Sequence, residues 1–343
     1  MPEQTSTRLG DEHLEAIRMC ALDEVSAWSD AMAPQLKQII EQQLAATGKR
    51  LRARLTLAFA DGLGGDLTRA YAPGASAEMY HLAALILDDI EDNSAFRRGA
   101  PAVHTTTATS TAINVAATIR SLAYHPVHRS TRLSVPEKYA IHQRLDRAAT
   151  HLVLGQSIDI GWHNDWYASP DEFPYDDMVT WKTGVLFEFG AWAGAFVAQG
   201  SPAMCDFAAR FGLRAGTVYQ MADDYLDLLA PAPGGDVTGE DLRDGKMTLA
   251  VRELVAALRT RGDHRLAREV VDCLSAANAG GVDTAWLQEL FHTYEVADAV
   301  HRKVRAAVAD LRDMSGAVDG RLRGHLNAFI YLLVPSAASA PTV

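Results

Sequence analysis

Cysteine is scarce: Cys20, Cys205 and Cys273 lie far apart in 343 residues and without metal-ligand spacing. Neither a disulfide framework nor a cysteine-built metal site is expected, and free thiols in a reducing compartment are the simple reading. No stretch approaches the roughly 18 to 20 apolar residues of a spanning helix, and Met1 to Gly10 is polar and lacks the apolar centre of a secretory leader. A cytoplasmic chain without a membrane span is expected. Basic charge is also in deficit, 32 Lys and Arg against 43 Asp and Glu, for a net charge of −11. That balance argues against DNA, RNA or an anionic membrane as partner, since each is bound through basic patches. Alternating strand patterns and any Pro/Gly/Ser-rich linker dividing the chain are missing as well.

What is present is 48% hydrophobic residues, ample for a large core, recurring at three- and four-residue spacing. Tyr80, Leu82, Leu85 and Ile86 show the period, as do Val251, Leu254, Val255 and Leu258. Helices are predicted over 11–27, 36–46, 50–62, 75–92, 107–122, 136–160, 174–198, 201–229, 246–260, 264–276, 283–312 and 318–333. Ser134-Val-Pro-Glu137 and Ser169-Pro-Asp-Glu172 each set a hydroxyl three residues before a glutamate, the pattern of a capping box. The expectation is one all-α domain of about 12 helices over residues 11–334, with disordered ends at 1–10 and 335–343 and a flexible loop at 230–236.

Two motifs of the form DDxxD stand out, Asp88-Asp89-Ile90-Glu91-Asp92 and Asp223-Asp224-Tyr225-Leu226-Asp227, each closing an apolar helix. On a helix, positions i and i+4 share a face, so Asp88 pairs with Asp92 and Asp223 with Asp227. Clustered carboxylates call for cations. Magnesium prefers hard oxygen ligands, is often held by one or two carboxylates, and completes its octahedron with water and phosphate oxygens. Either motif alone reads most simply as solvated surface; as a pair they suit a clamp on one diphosphate. The glycine-containing loop of an EF-hand is missing. Against the acidic background, Arg97-Arg98 and the run Lys49-Arg50-Leu51-Arg52-Ala53-Arg54 are the local basic clusters, and guanidinium forks match diphosphate oxygens. For the second cluster a solvated helix face is an equal alternative.

At these residues the sequence resembles the trans-isoprenyl diphosphate synthases, over about residues 45–250, and its DDIEDNS segment is most similar to geranylgeranyl diphosphate synthases. The resemblance implies a helical bundle around a central cavity. It implies isopentenyl diphosphate held by Lys49, Arg52, His81 and Arg98, and catalysis on the allylic diphosphate by Asp88, Asp89, Asp92, Arg97, Lys182, Asp223, Asp224 and Lys246. Asp88, Asp92, Asp223 and Asp227 would be the metal ligands, with three magnesium ions accompanying the bound diphosphate. Gln156, Thr183, Tyr219 and Gln220 would line the substrate pocket, although for Thr183 and Asp159 a structural role is equally open. The implied chemistry is ionisation of the allylic diphosphate, attack on the cation by the acceptor double bond, and proton loss to the released diphosphate. A homodimer is implied too. The chain departs from the family at Asp236, aligned where a lysine is common, and at Tyr219, where phenylalanine is usual. Prenylation of another acceptor such as an indole, terpene cyclisation and a non-catalytic regulatory subunit are the alternatives. The complete isopentenyl set speaks against the first two, and the two intact acidic motifs against the third.

Product length is expected to follow Ala83 and Ala84, small residues one turn before Asp88 that let a prenyl tail pass. On the next helix Thr118, Arg120 and Ser121 stand where the resembled synthases place an aromatic floor, with the Arg120 stem able to fill that volume. A twenty-carbon product is the first expectation and a longer one the second.

Overall fold

The computed structural model describes residues 10–46, 48–164, 166–167, 169–170, 172–229, 240–275 and 281–334. The expected end segments 1–9 and 335–343, the loop 230–236 and Asp236 lie outside the described residues. Among the described residues the regular structure is helical except for one small hairpin, Phe96–Arg97 paired antiparallel with Ala100–Pro101. The all-α expectation holds, the hairpin adding only two residues per strand. The hairpin's turn residues Arg98 and Gly99 both take positive φ, 54° and 78°, as a two-residue turn matched to strand twist requires.

The chain falls into two compact units. The first comprises residues up to Thr150, Val185–Leu213 and Ser315–Phe329. Within it, helix Leu51–Gly62 is buried nearly all round and packs on the apolar helix Val185–Val197. Phe59, Phe187 and Phe211 are fully enclosed there, and Phe59 meets Phe211 edge-on with centroids 6.0 Å apart. Helix Tyr71–Glu91, which buries Ala72, Ala75, Ala77 and Ala83 among others, packs on Thr109–Leu122. The second unit comprises His151–Gly184, Arg214–Met314 and residues from Ile330 onward. Its helices Leu249–Thr260, His264–Ser275 and Thr284–Thr293 are amphipathic and bury Val251, Leu254, Leu258, Val270 and Leu287.

The capping box at Ser134 forms. The Ser134 N–H and hydroxyl donate to Glu137 Oε2 at 2.8 and 2.7 Å, opening the helix Val135–His163. No helix opens at the box expected at Ser169: the Glu172 N–H bonds the Ser169 carbonyl in a turn, and the next helix starts at Tyr175. The predicted helix 174–198 is interrupted by a π-helical turn at Thr180–Gly184 between Tyr175–Val179 and Val185–Val197. The predicted helix 283–312 is two helices, Thr284–Thr293 and Val296–Gly316, parted where Glu295 adopts a left-handed φ of 53°. No helix of the described residues is long and apolar enough to cross a membrane.

Candidate active site

Both acidic motifs sit in the last turns of their helices, Tyr71–Glu91 and Pro202–Leu229. Carboxylates there meet the negative end of the helix dipole, an arrangement that invites cations. Asp92 lies one residue past its helix, yet its N–H bonds the Asp88 carbonyl at 2.8 Å, so the i/i+4 relation survives.

The first unit answers part of that demand itself. The hairpin turns Arg97 back so that Nε donates to Asp89 at 2.5 Å and Nη2 to Asp88 at 3.3 Å. Asp89 is 3% exposed; burial pushes its carboxyl up, against the pull of Arg97. Asp88 and Asp92 are half-buried. The hairpin turn also places the Arg98 guanidinium beside Gly48, where an added Cβ would stand 2.6 Å from Nη1. His81 is half-buried, and burial first, then the positive charges of Arg52, Arg98 and Arg97, push its pKa well below the ordinary 6.5. Those charges therefore converge on one imidazole, which stays neutral near pH 7. The Arg52 guanidinium lies 4.4 Å above the centroid of the Phe187 ring, and Lys49 is exposed at the entrance to the helix. Arg50 and Arg54 serve locally: Arg50 donates to the Leu14 carbonyl and Arg54 to the Lys49 carbonyl.

Ala83 is buried and Ala84 half-buried. Arg120 and Ser121 are exposed and Thr118 half-buried. Tyr80, one turn before Ala84 on the same helix, is 4% exposed. Its phenol and that of Tyr124 are pushed up by burial, with the charges of Arg120 and Asp146 acting on both. The sequence reading compared these two helices but looked only at the positions nearest the first motif on one and at residues 118–121 on the other, and so passed over this tyrosine pair.

In the second unit Asp223 is exposed, Asp227 half-buried and Asp224 5% exposed. Asp224 accepts from the Tyr175 hydroxyl at 2.7 Å, Gln220 Nε2 at 2.9 Å and the Leu249 N–H at 2.9 Å. Burial and then the charge of Asp241 raise its carboxyl to about 6, against the pull of these donors. Gln220 in turn accepts from the Thr183 hydroxyl at 2.9 Å. Lys182 lies in the π-helical turn with Nζ 2.5 Å from Asp159 Oδ2, and Lys246 Nζ is 3.1 Å from Asp241. The backbone of Lys182 is seated against Gly155, where a Cβ would fall 2.3 Å from its nitrogen. Gln156 and Tyr219 are half-buried on the helices Val135–His163 and Pro202–Leu229. Sequence reasoning missed Tyr175 and Asp241, which carry no motif of their own, and left Asp159 open.

The donor set fits a divalent ion. In each motif the second aspartate is taken up by protein donors, while the first and the last keep more accessible hard oxygens. Among the described residues no three His, Cys, Asp or Glu side chains converge as a closed metal cage.

A family profile described as polyprenyl synthetase matches residues 33–292. A short chain isoprenyl diphosphate synthase of Methanothermobacter thermautotrophicus is 30% identical over 82% of this chain and 91% of its own length. The geranylfarnesyl diphosphate synthase of Aeropyrum pernix is 31% identical over 84% and 90%. Among solved structures, a polyprenyl synthase from Caulobacter crescentus, complexed with calcium and isoprenyl diphosphate, superposes with a TM-score of 0.80 at 23% identity, over 95% of each chain. With a profile match across most of its length and relatives covered nearly end to end, this chain belongs to the polyprenyl synthetase family.

Proposed function

We propose that this enzyme condenses an allylic diphosphate with isopentenyl diphosphate, with residues 11–334 working as one catalytic domain, and releases a trans-prenyl diphosphate of twenty or more carbons. The observation that carries the reading lies within the first unit. Carboxylates suited to a metal, Asp88 and Asp92, stand beside a separate cationic group, Arg52, Arg98 and neutral His81, suited to an anion without metal. Two diphosphates of different environment are what elongation needs, whereas a cyclase needs one.

Asp88, Asp92, Asp223 and Asp227 would hold magnesium, three ions in all with substrate bound. Bound magnesium supplies charge neutralisation on the leaving diphosphate. Arg97, Lys182 and Lys246 take up its remaining oxygens, exchanging their present carboxylate partners for phosphate. Lys49, Arg52, Arg98 and His81 orient the acceptor, with His81 donating a hydrogen bond rather than a charge. Gln156, Thr183, Tyr219 and Gln220 shape the pocket, and Ala83 and Ala84 leave room for the tail. A homodimer is proposed through apolar side chains such as Ile113 and Tyr139, 48% and 66% exposed.

The test is incubation with magnesium, isopentenyl diphosphate and each allylic primer in turn, with mass analysis of the dephosphorylated products. Elongation that depends on isopentenyl diphosphate is expected. A cyclic hydrocarbon, transfer to an indole acceptor only, or no product with any primer would overturn the reading.

A further inference from the structure

We propose that Tyr175 is a positioning residue for the allylic-diphosphate half of the site, acting through Asp224 to hold the segments of Lys182 and Lys246 against the second acidic motif. The inference rests on the function proposed above. Three stretches of chain meet on the Asp224 carboxylate. Tyr175 comes from the short helix Tyr175–Val179, which runs directly into the π-helical turn bearing Lys182. The Leu249 N–H comes from the start of the helix that follows Lys246. Gln220, on the aspartate's own helix, reaches the same turn a second time through Thr183.

The phenol is held from its other side as well. Arg252 sits 4.7 Å over the ring of Tyr175 while its Nη1 donates to Asp176 at 3.1 Å. Tyr175 is 3% exposed, so its hydroxyl has no route to bulk water and is committed to Asp224. The preceding lysine segment is pinned separately, by Trp162 Nε1 donating to the Gly245 carbonyl at 2.9 Å. Asp223 and Asp227 flank the hub on the same helix, so a shift at Asp224 moves both carboxylates relative to both lysines. π-helical turns recur at functional sites, and the hydroxyl of Tyr175 ties this one to the proposed metal ligands.

Tyr175→Phe keeps the ring and its packing under Arg252 and removes only the hydroxyl. Affinity for inorganic diphosphate in the presence of magnesium, measured by calorimetry, is expected to fall about tenfold, the scale of one hydrogen bond to a charged group. The KM of the allylic substrate should rise by a similar factor, with the KM of isopentenyl diphosphate unchanged and the melting temperature lowered by only a few degrees, since Asp224 keeps its donors from Gln220 and Leu249. Asp224→Asn, whose amide sets an NH2 against one of these donors, should raise the allylic KM at least as much with a larger loss of melting temperature, and the double variant should be no worse in allylic KM than the more affected single variant. Were Tyr175→Phe to melt far below wild type, Thr183→Val, which cuts only the second tie from Gln220 to the same turn, carries the test with the same expected rise in allylic KM. Unchanged diphosphate affinity, or a rise in both KM values in step with a lower melting temperature, would overturn the inference while wild type still binds diphosphate and elongates primers. A wild type that does neither overturns the proposed function, and this inference with it.

Discussion

Gly155→Ala is the sharpest perturbation of the lysine-bearing turn. The added Cβ would stand 2.3 Å from the Lys182 nitrogen, 2.8 Å from the Trp181 carbonyl carbon and 2.9 Å from the Lys182 Cα. These are backbone atoms, which no rotamer change can remove. Ordinary non-bonded separations are about 3.5 Å, so the helix and the turn must part by roughly 1 Å. Overpacking of this kind costs about 1–3 kcal/mol, which a domain with roughly 5–15 kcal/mol of stability survives. The functional cost is larger in proportion, because a displacement of about 1 Å in a substrate-binding group can lower the rate about 100-fold, or about 2.7 kcal/mol of barrier. The expected result is a folded protein, a few degrees less stable, whose kcat/KM for the allylic substrate falls about 100-fold. The KM of isopentenyl diphosphate should be preserved, because its proposed residues lie in the first unit. Steady-state kinetics with each substrate varied at saturation of the other, beside thermal melts, make the measurement. Activity within threefold of wild type would refute the seating of Lys182 on Gly155, and an equal loss toward both substrates would refute its assignment to the allylic one.

Asp88→Asn and Asp223→Asn should each cut turnover by orders of magnitude with the far-ultraviolet dichroism intact; an active Asp223→Asn enzyme with normal magnesium dependence would remove that residue from the ligand set. Lys49→Ala and His81→Ala should raise mainly the KM of isopentenyl diphosphate and Lys182→Ala mainly that of the allylic substrate, and equal effects on both constants would defeat the division. Glu137 is held down to about 2 from the ordinary 4.5 because Ser134, Gln199 and Arg69 outweigh the upward push of burial. A depressed carboxylate stabilises the fold above its unfolded value and loses that contribution as pH falls from 4.5 toward 2. Glu137→Gln should therefore cost up to roughly 3 kcal/mol in urea unfolding at pH 7 and much less near pH 3, and a pH-independent difference would contradict the assignment. Ala84→Phe should shorten the product by about one isoprene unit, and an unchanged product distribution would show that the tail does not pass this face.

The outline of the fold was legible because helix period and caps are local properties. The predicted 11–27 agrees with Asp11–Ala27, 201–229 with Pro202–Leu229, and Ser134 with its box on Glu137. What escaped depends on tertiary partners. The π-helical turn looks like helix in sequence because its apolar neighbours keep their spacing, and only the approach of Gly155 reveals the seat of Lys182. The break at Glu295 is a left-handed non-glycine residue without a compositional mark. The hairpin strands are two residues each, too short for any alternation to register, although Arg98-Gly99 is the turn on which both arginines are aimed.

The division of labour inside each DDxxD motif follows from helix geometry more fully than the sequence reading allowed. Successive residues are about 100° apart around a helix, so if positions one and five share a face, position two must point about a quarter-turn away. Both motifs obey this: Asp89 and Asp224 are buried, and Asp88, Asp92, Asp223 and Asp227 remain more open. A buried carboxylate requires donors, and geometry does not say which. The first motif is answered by Arg97 on a hairpin eight residues on, the second by Tyr175, Gln220 and a backbone amide gathered from three segments. The first solution brings a positive charge shared between Asp89 and Asp88; the second brings none. On the proposed function, the hairpin side would rearrange when a diphosphate arrives, whereas the Asp224 hub would hold the segments of Lys182 and Lys246 in register with Asp223 and Asp227.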